Sequence, residues 1–189
     1  MYVAQQAPGH LDVDGLRAFV EEQLRNIARA TAEMESITSG ALGTLQTPPV
    51  VRVSLATQQA IAAGVFVKVG LDTVEFDTHA WWDAVNKRYT PLRAGYYRFS
   101  WQVFGGTSTT LTRVLSALFK NGAVAPSGHG SDFTAGAGIG LSAGTTVVAM
   151  NGTTDFVELD ALIAAAAPVV GTTGSPFLVH LHGNWLRSL

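Results

Sequence analysis

The chain has 189 residues, of which 47% are apolar and only 14% are charged, and it carries a net charge of −2 and no cysteine. This length and apolar content suffice for one domain with a well-filled core plus an appendage. The absence of cysteine excludes disulfide bonds and thiolate metal sites, and the balanced charge without a run of Lys or Arg argues against binding to nucleic acid or anionic membranes.

The first residues lack the features of an export signal. Residues 1–11, punctuated by Pro8 and Gly9, are predicted to form an irregular arm without a basic start, an apolar middle or a cleavage site. The longest apolar run near the other end, residues 161–170, is interrupted by Pro168 and is too short to cross a bilayer. We expect no membrane insertion, and a protein that acts in the cytoplasm where it is made or leaves it within a larger assembly.

A helix is predicted from Val13 to about Ile37. This stretch is rich in Leu, Arg, Glu, Ala and Gln, and it has no glycine or proline after Gly15. Its apolar residues recur with the three-four spacing of a heptad repeat, which allows helices to supercoil. The predicted seam consists of Val13, Leu16, Val20, Gln23, Ile27, Ala30, Met34 and Ile37. A bundle of identical helices or docking onto a partner would bury this seam; an amphipathic helix packed on its own domain is the alternative.

A linker follows the helix. Residues 38–49 (TSGALGTLQTPP) are mostly small or polar and contain glycines and prolines. We therefore divide the chain into an N-terminal arm and anchor helix (1–37), a linker (38–49) and a head domain (50–189).

The head is predicted to be all-β, because short strand-like segments follow one another without a helical pattern between them. The predicted strands are Val50 to Leu55, Val65 to Val69, Thr73 to Asp77, Gly95 to Phe104, Arg113 to Lys120, Ala137 to Leu141, Thr145 to Met150, Phe156 to Ile163 and Phe177 to Leu186. The turn signals are Asn121-Gly122, Ala143-Gly144 and Asn151-Gly152, of which the last two suit tight hairpins. The fold class is therefore a jelly-roll sandwich of two antiparallel sheets, preceded by one amphipathic helix.

The strand that begins at Gly95 organises the head. Its apolar residues alternate with polar ones and so share one face. We assign four of them to the head core: Tyr97, Phe99, Trp101 and Val103.

The order of several segments resembles the trimeric jelly roll of complement q globular heads and tumour necrosis factor. The matching segments are Val74 to Asp77, Tyr89 to Ser100, Leu118 to Gly122, Gly138 to Val147 and Phe177 to Leu181. The resemblance covers about residues 50–187 and implies a homotrimer. The chain differs from the secreted members in having no cysteine, collagen-like stalk or signal peptide, so no signalling or complement role is expected.

The layout of helix, linker and cysteine-free β-head resembles fibre, spike and decoration proteins of tailed bacteriophages. This resemblance implies a virion structural protein, made in the host cytoplasm, whose arm and helix attach to other virion proteins while the head projects. It implies no cofactor. The alternative is a receptor-binding module whose loops recognise a host surface glycan or protein.

The low charge content predicts that some apolar surface is buried between subunits. Four aromatic residues are candidates for such burial, with the domain's own core as the alternative: Trp81, Trp82, Tyr96 and Trp185.

Two groups of residues have the composition of chemical sites. Ser127, His129 and Asp132 contain the groups of a catalytic triad, but one glycine-rich loop does not hold them in the required geometry, and we predict no enzyme. His180 and His182 lie two residues apart on a strand and so share a face. If that face lies along a threefold axis, six imidazoles could hold a transition metal, a use of histidine pairs that the phage-spike resemblance implies. The alternative is bonding to neighbouring polar groups or solvent.

Overall fold

The structure, a computed structural model, describes residues 13–44, 47–131, 138–172 and 178–189. The chain divides into two compact units, residues 1–46 and residues 47–189. The predicted N-terminal arm lies outside the described residues.

The first unit contains one helix, α1 (Val13–Thr44). The predicted helix end at Ile37 is wrong, because α1 continues through Gly40 and takes up the first part of the predicted linker. Gly40 and Gly43 each cost a helix only about 1 kcal/mol or less, and Ala41 and Leu42 between them are strong helix formers. None of the described helical residues forms a segment both long and apolar enough to cross a membrane.

The apolar stripe of α1 is not covered within its own unit. Its large side chains are exposed, from 47% at Val20 to 83% at Val13. Exposed ion pairs at i, i+4 spacing join Arg17 and Arg25 to Glu21 elsewhere on the helix. A stripe of this width needs a partner surface.

The second unit is built from thirteen described strands. They are β1 (Val50–Ser54), β2 (Gln59–Ala60), β3 (Val67–Lys68), β4 (Thr73–Asp77), β5 (Trp82–Asp83), β6 (Arg88–Tyr89), β7 (Gly95–Ser108), β8 (Arg113–Lys120), β9 (Ala123–His129), β10 (Gly138–Met150), β11 (Val157–Ala164), β12 (Val169–Val170) and β13 (His180–Arg187).

The strands form two antiparallel sheets. Sheet A follows the order β2-β12-β7-β13-β1-β4, with β10 also paired to β7. Sheet B follows the order β5-β6-β11-β8-β9, with β3 also paired to β11. The first strand, β1, pairs with the last, β13. The predicted two-sheet jelly roll with one N-terminal helix is confirmed.

Strand β7 lies at the centre of sheet A and supplies much of the core. The side chains of Tyr97, Phe99, Trp101 and Val103 are all at most 2% exposed. Tyr97 and Phe99 stack with ring centroids 6.1 Å apart, and the Tyr97 hydroxyl donates to the carbonyl oxygen of Arg93 at 2.8 Å.

A polar contact lies beside these rings. Trp101 Nε1 donates to Ser116 Oγ at 2.9 Å, and Ser116 Oγ lies 2.7 Å from Ser142 Oγ. Since these side chains are buried, the hydrogen bonds satisfy groups that would otherwise destabilise the core. Gly144 packs directly against the Trp101 ring, where a Cβ would lie 2.3 Å from Trp101 Cζ2.

Two predicted hairpins are wrong. Ala143-Gly144 lies inside β10, which is one continuous strand paired with β7. Asn151-Gly152 leads from β10 in sheet A to β11 in sheet B, and Asn151 Oδ1 accepts backbone N–H bonds from the three residues 153–155.

The two-residue hairpin is instead at Asn121-Gly122, where both residues have positive φ and join β8 to β9. Strand β9 was not predicted from the sequence, because it contains Pro126 and Gly128, and proline and glycine are uncommon inside strands.

Candidate interaction face

The outward face of sheet A is the candidate functional surface. Side chains alternate along each strand, so one set enters the core and the other faces away from sheet B. On β7 the second set contains Arg98, Ser100 and Gln102, which are exposed or half-buried.

The central row of this face crosses five strands in register. It consists of Phe76, Arg52, His182, Ser100 and Thr145. The Phe76 ring meets the His182 ring edge to face at 6.2 Å, and Ser100 Oγ lies 3.5 Å from His182 Nδ1. A neighbouring row contains His180, Gln102 and Ala143.

The central row of this face carries little net charge. Arg52 Nε lies 2.8 Å from Glu75 Oε2, so its guanidinium is neutralised. Phe76 and Val147 are exposed by 43% and 48%, although both are large apolar residues. Neutral polar side chains bordered by exposed apolar ones are typical of a surface that another protein covers.

The pKa of His182 is lowered. Burial opposes the charged imidazolium, and the positive charges of Arg52 and His180 oppose it further. His182 is therefore neutral at neutral pH, which keeps this part of the face uncharged.

His180 and His182 share the outward face, as their spacing requires. In the described part of one chain, no three His, Cys, Asp or Glu side chains come together as a metal site. The predicted site draws its ligands from three chains, so metal binding by the pair stays a prediction.

The other predicted residues lie in different places. Trp81 contacts His79 and Tyr89, and Trp82 and Trp185 pack against the core. Of the four surplus aromatics, Tyr96 is the one on the outward face of sheet A.

Ser127 and His129, two of the three triad-type residues, both lie on strand β9. The His129 ring packs 6.3 Å from that of Phe66, Ser127 is an exposed residue with positive φ, and Asp132 lies outside the described residues.

Sequence reasoning missed Arg52, Phe76 and Val147 as members of the face. Alternation in VVRVS could have found Arg52, which lies between the buried Val51 and Val53. The burial of β4 does not alternate, so Phe76 could not have been found in this way. The meeting of Arg52 and Phe76 depends on the pairing of β1 with β4, which the sequence does not reveal.

The head has the fold of the complement-1q type of jelly roll. It is similar to the globular domain of zebrafish complement 1qA protein, with 13% identity and a TM-score of 0.57, covering 76% of this chain and 100% of that one. Murine APRIL at pH 5.0 is similar with 10% identity and a TM-score of 0.56, covering 74% of this chain and 100% of that one. A second APRIL structure, at pH 8.5, gives 12% identity and a TM-score of 0.53, again covering 74% and 100%. No protein-family model and no curated protein matches the sequence significantly.

Proposed function

We propose that the chain is a homotrimeric, non-enzymatic structural protein of a tailed-bacteriophage virion, a fibre or decoration protein anchored by its N-terminal arm and helix. The observation that carries this proposal is the outward face of sheet A, where the central row is nearly neutral and the apolar residues Phe76 and Val147 are exposed. The exposed stripe of α1 supports it, because three copies of the helix would bury it together. The virion assignment rests on the layout of helix and cysteine-free head.

The oligomeric state tests the first part of the proposal. We expect light scattering after size exclusion to give a trimer for the full chain and for the isolated head, residues 47–189. A trimer only for the full chain would make α1 the oligomerising element. Monomers of both at micromolar concentration would overturn the proposed trimer.

A charge placed on the outward face should break the trimer. The Leu141→Glu substitution puts a carboxylate on the face, opposite Phe104 of β7 and several residues along β10 from the partner of Arg98, and we expect the dissociation constant to rise about a hundredfold or more, because burying an unpaired charge costs about 3 kcal/mol or more. Val85→Glu is the matched control, since Val85 is 89% exposed in the turn between β5 and β6, away from this face. Equal behaviour of the two variants would contradict the assigned face.

The virion role has its own measurement. Mass spectrometry of purified particles of the phage that encodes the chain should detect it in a fixed ratio to the major capsid protein. Its absence from intact particles, with its presence in infected cells, would overturn the role.

A further inference from the structure

Seven of the nine Lys and Arg side chains of the head, all except Lys87 and Arg113, fall into two groups. In the first group each side chain forms an ion pair with a carboxylate: Arg52 with Glu75, Lys68 with Glu158, Arg88 with Asp83 and Lys120 with Asp155. In the second group, Arg93, Arg98 and Arg187 form no ion pair with any described carboxylate. In a chain whose net charge is −2, these unpaired cations create a local positive surface.

These three arginines gather at one end of sheet A, where β7 begins and β13 ends. The Arg93 guanidinium lies 3.8 Å from the centre of the Trp185 ring, and that of Arg187 lies 4.9 Å from the centre of the Tyr96 ring. Gly95 lies between the two stacks and packs closely against both β13 residues. A Cβ at this position would lie 2.3 Å from Trp185 Nε1 and 2.5 Å from the Arg187 carbonyl oxygen.

Arg98 completes the group. It stands two residues after Tyr96 on the same face of β7, and it is exposed. We call Arg93, Arg98 and Arg187, with the two rings, the arginine patch.

Stacking fixes two of the three guanidinium groups. An aromatic ring under a guanidinium holds its plane, while the N–H groups at its edge remain able to donate two parallel hydrogen bonds to one carboxylate. A ligand that binds such groups loses less side-chain entropy than one that orders free arginines.

The spacing of the patch favours a polymer over a single anion. Residues two apart on a strand are separated by about 6.8 Å, which is also the repeat of alternate side chains in an extended peptide. Carboxylates on alternate residues of such a peptide can therefore meet Arg98 and the Arg187 stack in succession.

We propose that the arginine patch binds an extended acidic segment of another polypeptide, with carboxylates on alternate residues. The identity of this polypeptide as a second virion protein rests on the proposed function; the binding itself does not. The Trp185 backbone N–H donates to the Pro49 carbonyl oxygen at 2.9 Å. The patch therefore lies beside the point at which the chain enters the head.

The test uses the full chain and a synthetic octapeptide of alternating glutamate and threonine, followed by two-dimensional NMR at low salt. We expect saturable shifts of the Trp185 indole N–H signal. Binding should be about tenfold weaker in Arg93→Gln/Arg187→Gln and weakened in Arg98→Gln, as expected for the loss of charge-assisted hydrogen bonds. Lys87→Gln, which removes one positive charge from a turn elsewhere in the head, should bind like the parent protein.

Three results would overturn the inference. The first is the absence of any shift of the Trp185 signal, and the second is equal weakening of peptide binding by Lys87→Gln. The third is tighter binding of polygalacturonate or of an oligonucleotide of the same charge, which would make the ligand a polysaccharide or a nucleic acid. Light scattering on the same samples reports the oligomeric state separately, so a monomeric protein that still binds the peptide would refute the proposed trimer and leave the patch intact.

Discussion

Replacing Gly144 by alanine is expected to lower the free energy of unfolding of the head by about 3 kcal/mol, at the upper end of the usual cost of overpacking a core. The added Cβ would lie 2.3 Å from Cζ2 and 2.7 Å from Cε2 of Trp101, and 3.0 Å from Cα of Gly130. The indole ring cannot withdraw, because it is 2% exposed and its Nε1 is bonded to Ser116. Urea unfolding followed by tryptophan fluorescence measures the change.

Gly70→Ala serves as the matched control. Its Cβ would meet Gln59 Oε1 at 3.4 Å, an ordinary contact, and we expect a change within about 0.5 kcal/mol, as for most surface substitutions. If Gly144→Ala proves as stable as Gly70→Ala, the close approach of β10 to Trp101 is not a constraint on the fold.

The second large effect is a pH dependence with a sign opposite to that of most carboxylates. Burial and the neighbouring Glu158 carboxylate raise the pKa of Asp160 to about 6, although the positive charge of Lys68 opposes them. The folded protein therefore holds this proton more tightly than the unfolded chain, so stability falls as pH rises from about 4 to about 6. At pH 7 the penalty is about 2 kcal/mol after allowance for solvent screening.

Asp160→Asn removes that ionisation. We expect the variant to be more stable than the parent by about 2 kcal/mol at pH 7 and equally stable near pH 4. Urea unfolding at the two pH values checks this, and a variant that is less stable at pH 7 would contradict it.

Asp155→Asn should show the reverse. Burial alone would raise the pKa of Asp155, but hydrogen bonds from Lys120, Asn121 and the Asn151 backbone outweigh it and hold the pKa below its usual range. Its carboxylate stabilises the fold above the unfolded pKa, and this stabilisation is lost as pH falls through the lower folded pKa. We expect the variant to lose about 1–2 kcal/mol at pH 7, with a smaller loss in acid.

The contrast between β7 and the turns shows what sequence patterns reveal. Alternation of apolar and polar residues from Gly95 to Val103 predicted the central strand, because every second side chain of a half-buried strand faces the core. The turns were less readable, since Gly144 and Gly152 look alike in sequence. Gly144 leaves space for the Trp101 ring of the neighbouring strand β7. Gly152, in contrast, has a positive φ and lies in a turn.

The interaction face was predicted less well than the core. His180 and His182 were found because they lie on one strand, where spacing alone decides their direction. Arg52, Glu75 and Phe76 join them through pairing between strands that are distant in the chain. Partners of this kind follow from the topology and not from any local pattern.

The pairing of β1 with β13 determines when and how the head can be completed. During synthesis β7 is made long before β13, so one edge of β7 stays unpaired until β13 has been made, and the closing step joins strands that are distant in the domain's sequence. A chain cut short before residue 180 would lack the strand between β1 and β7 and expose both edges to other chains. Because β1 pairs with β13, the two ends of the head lie close together, and the head is a good candidate for circular permutation. A short linker from Arg187 to Thr47 should allow new chain ends at the Asn121-Gly122 turn.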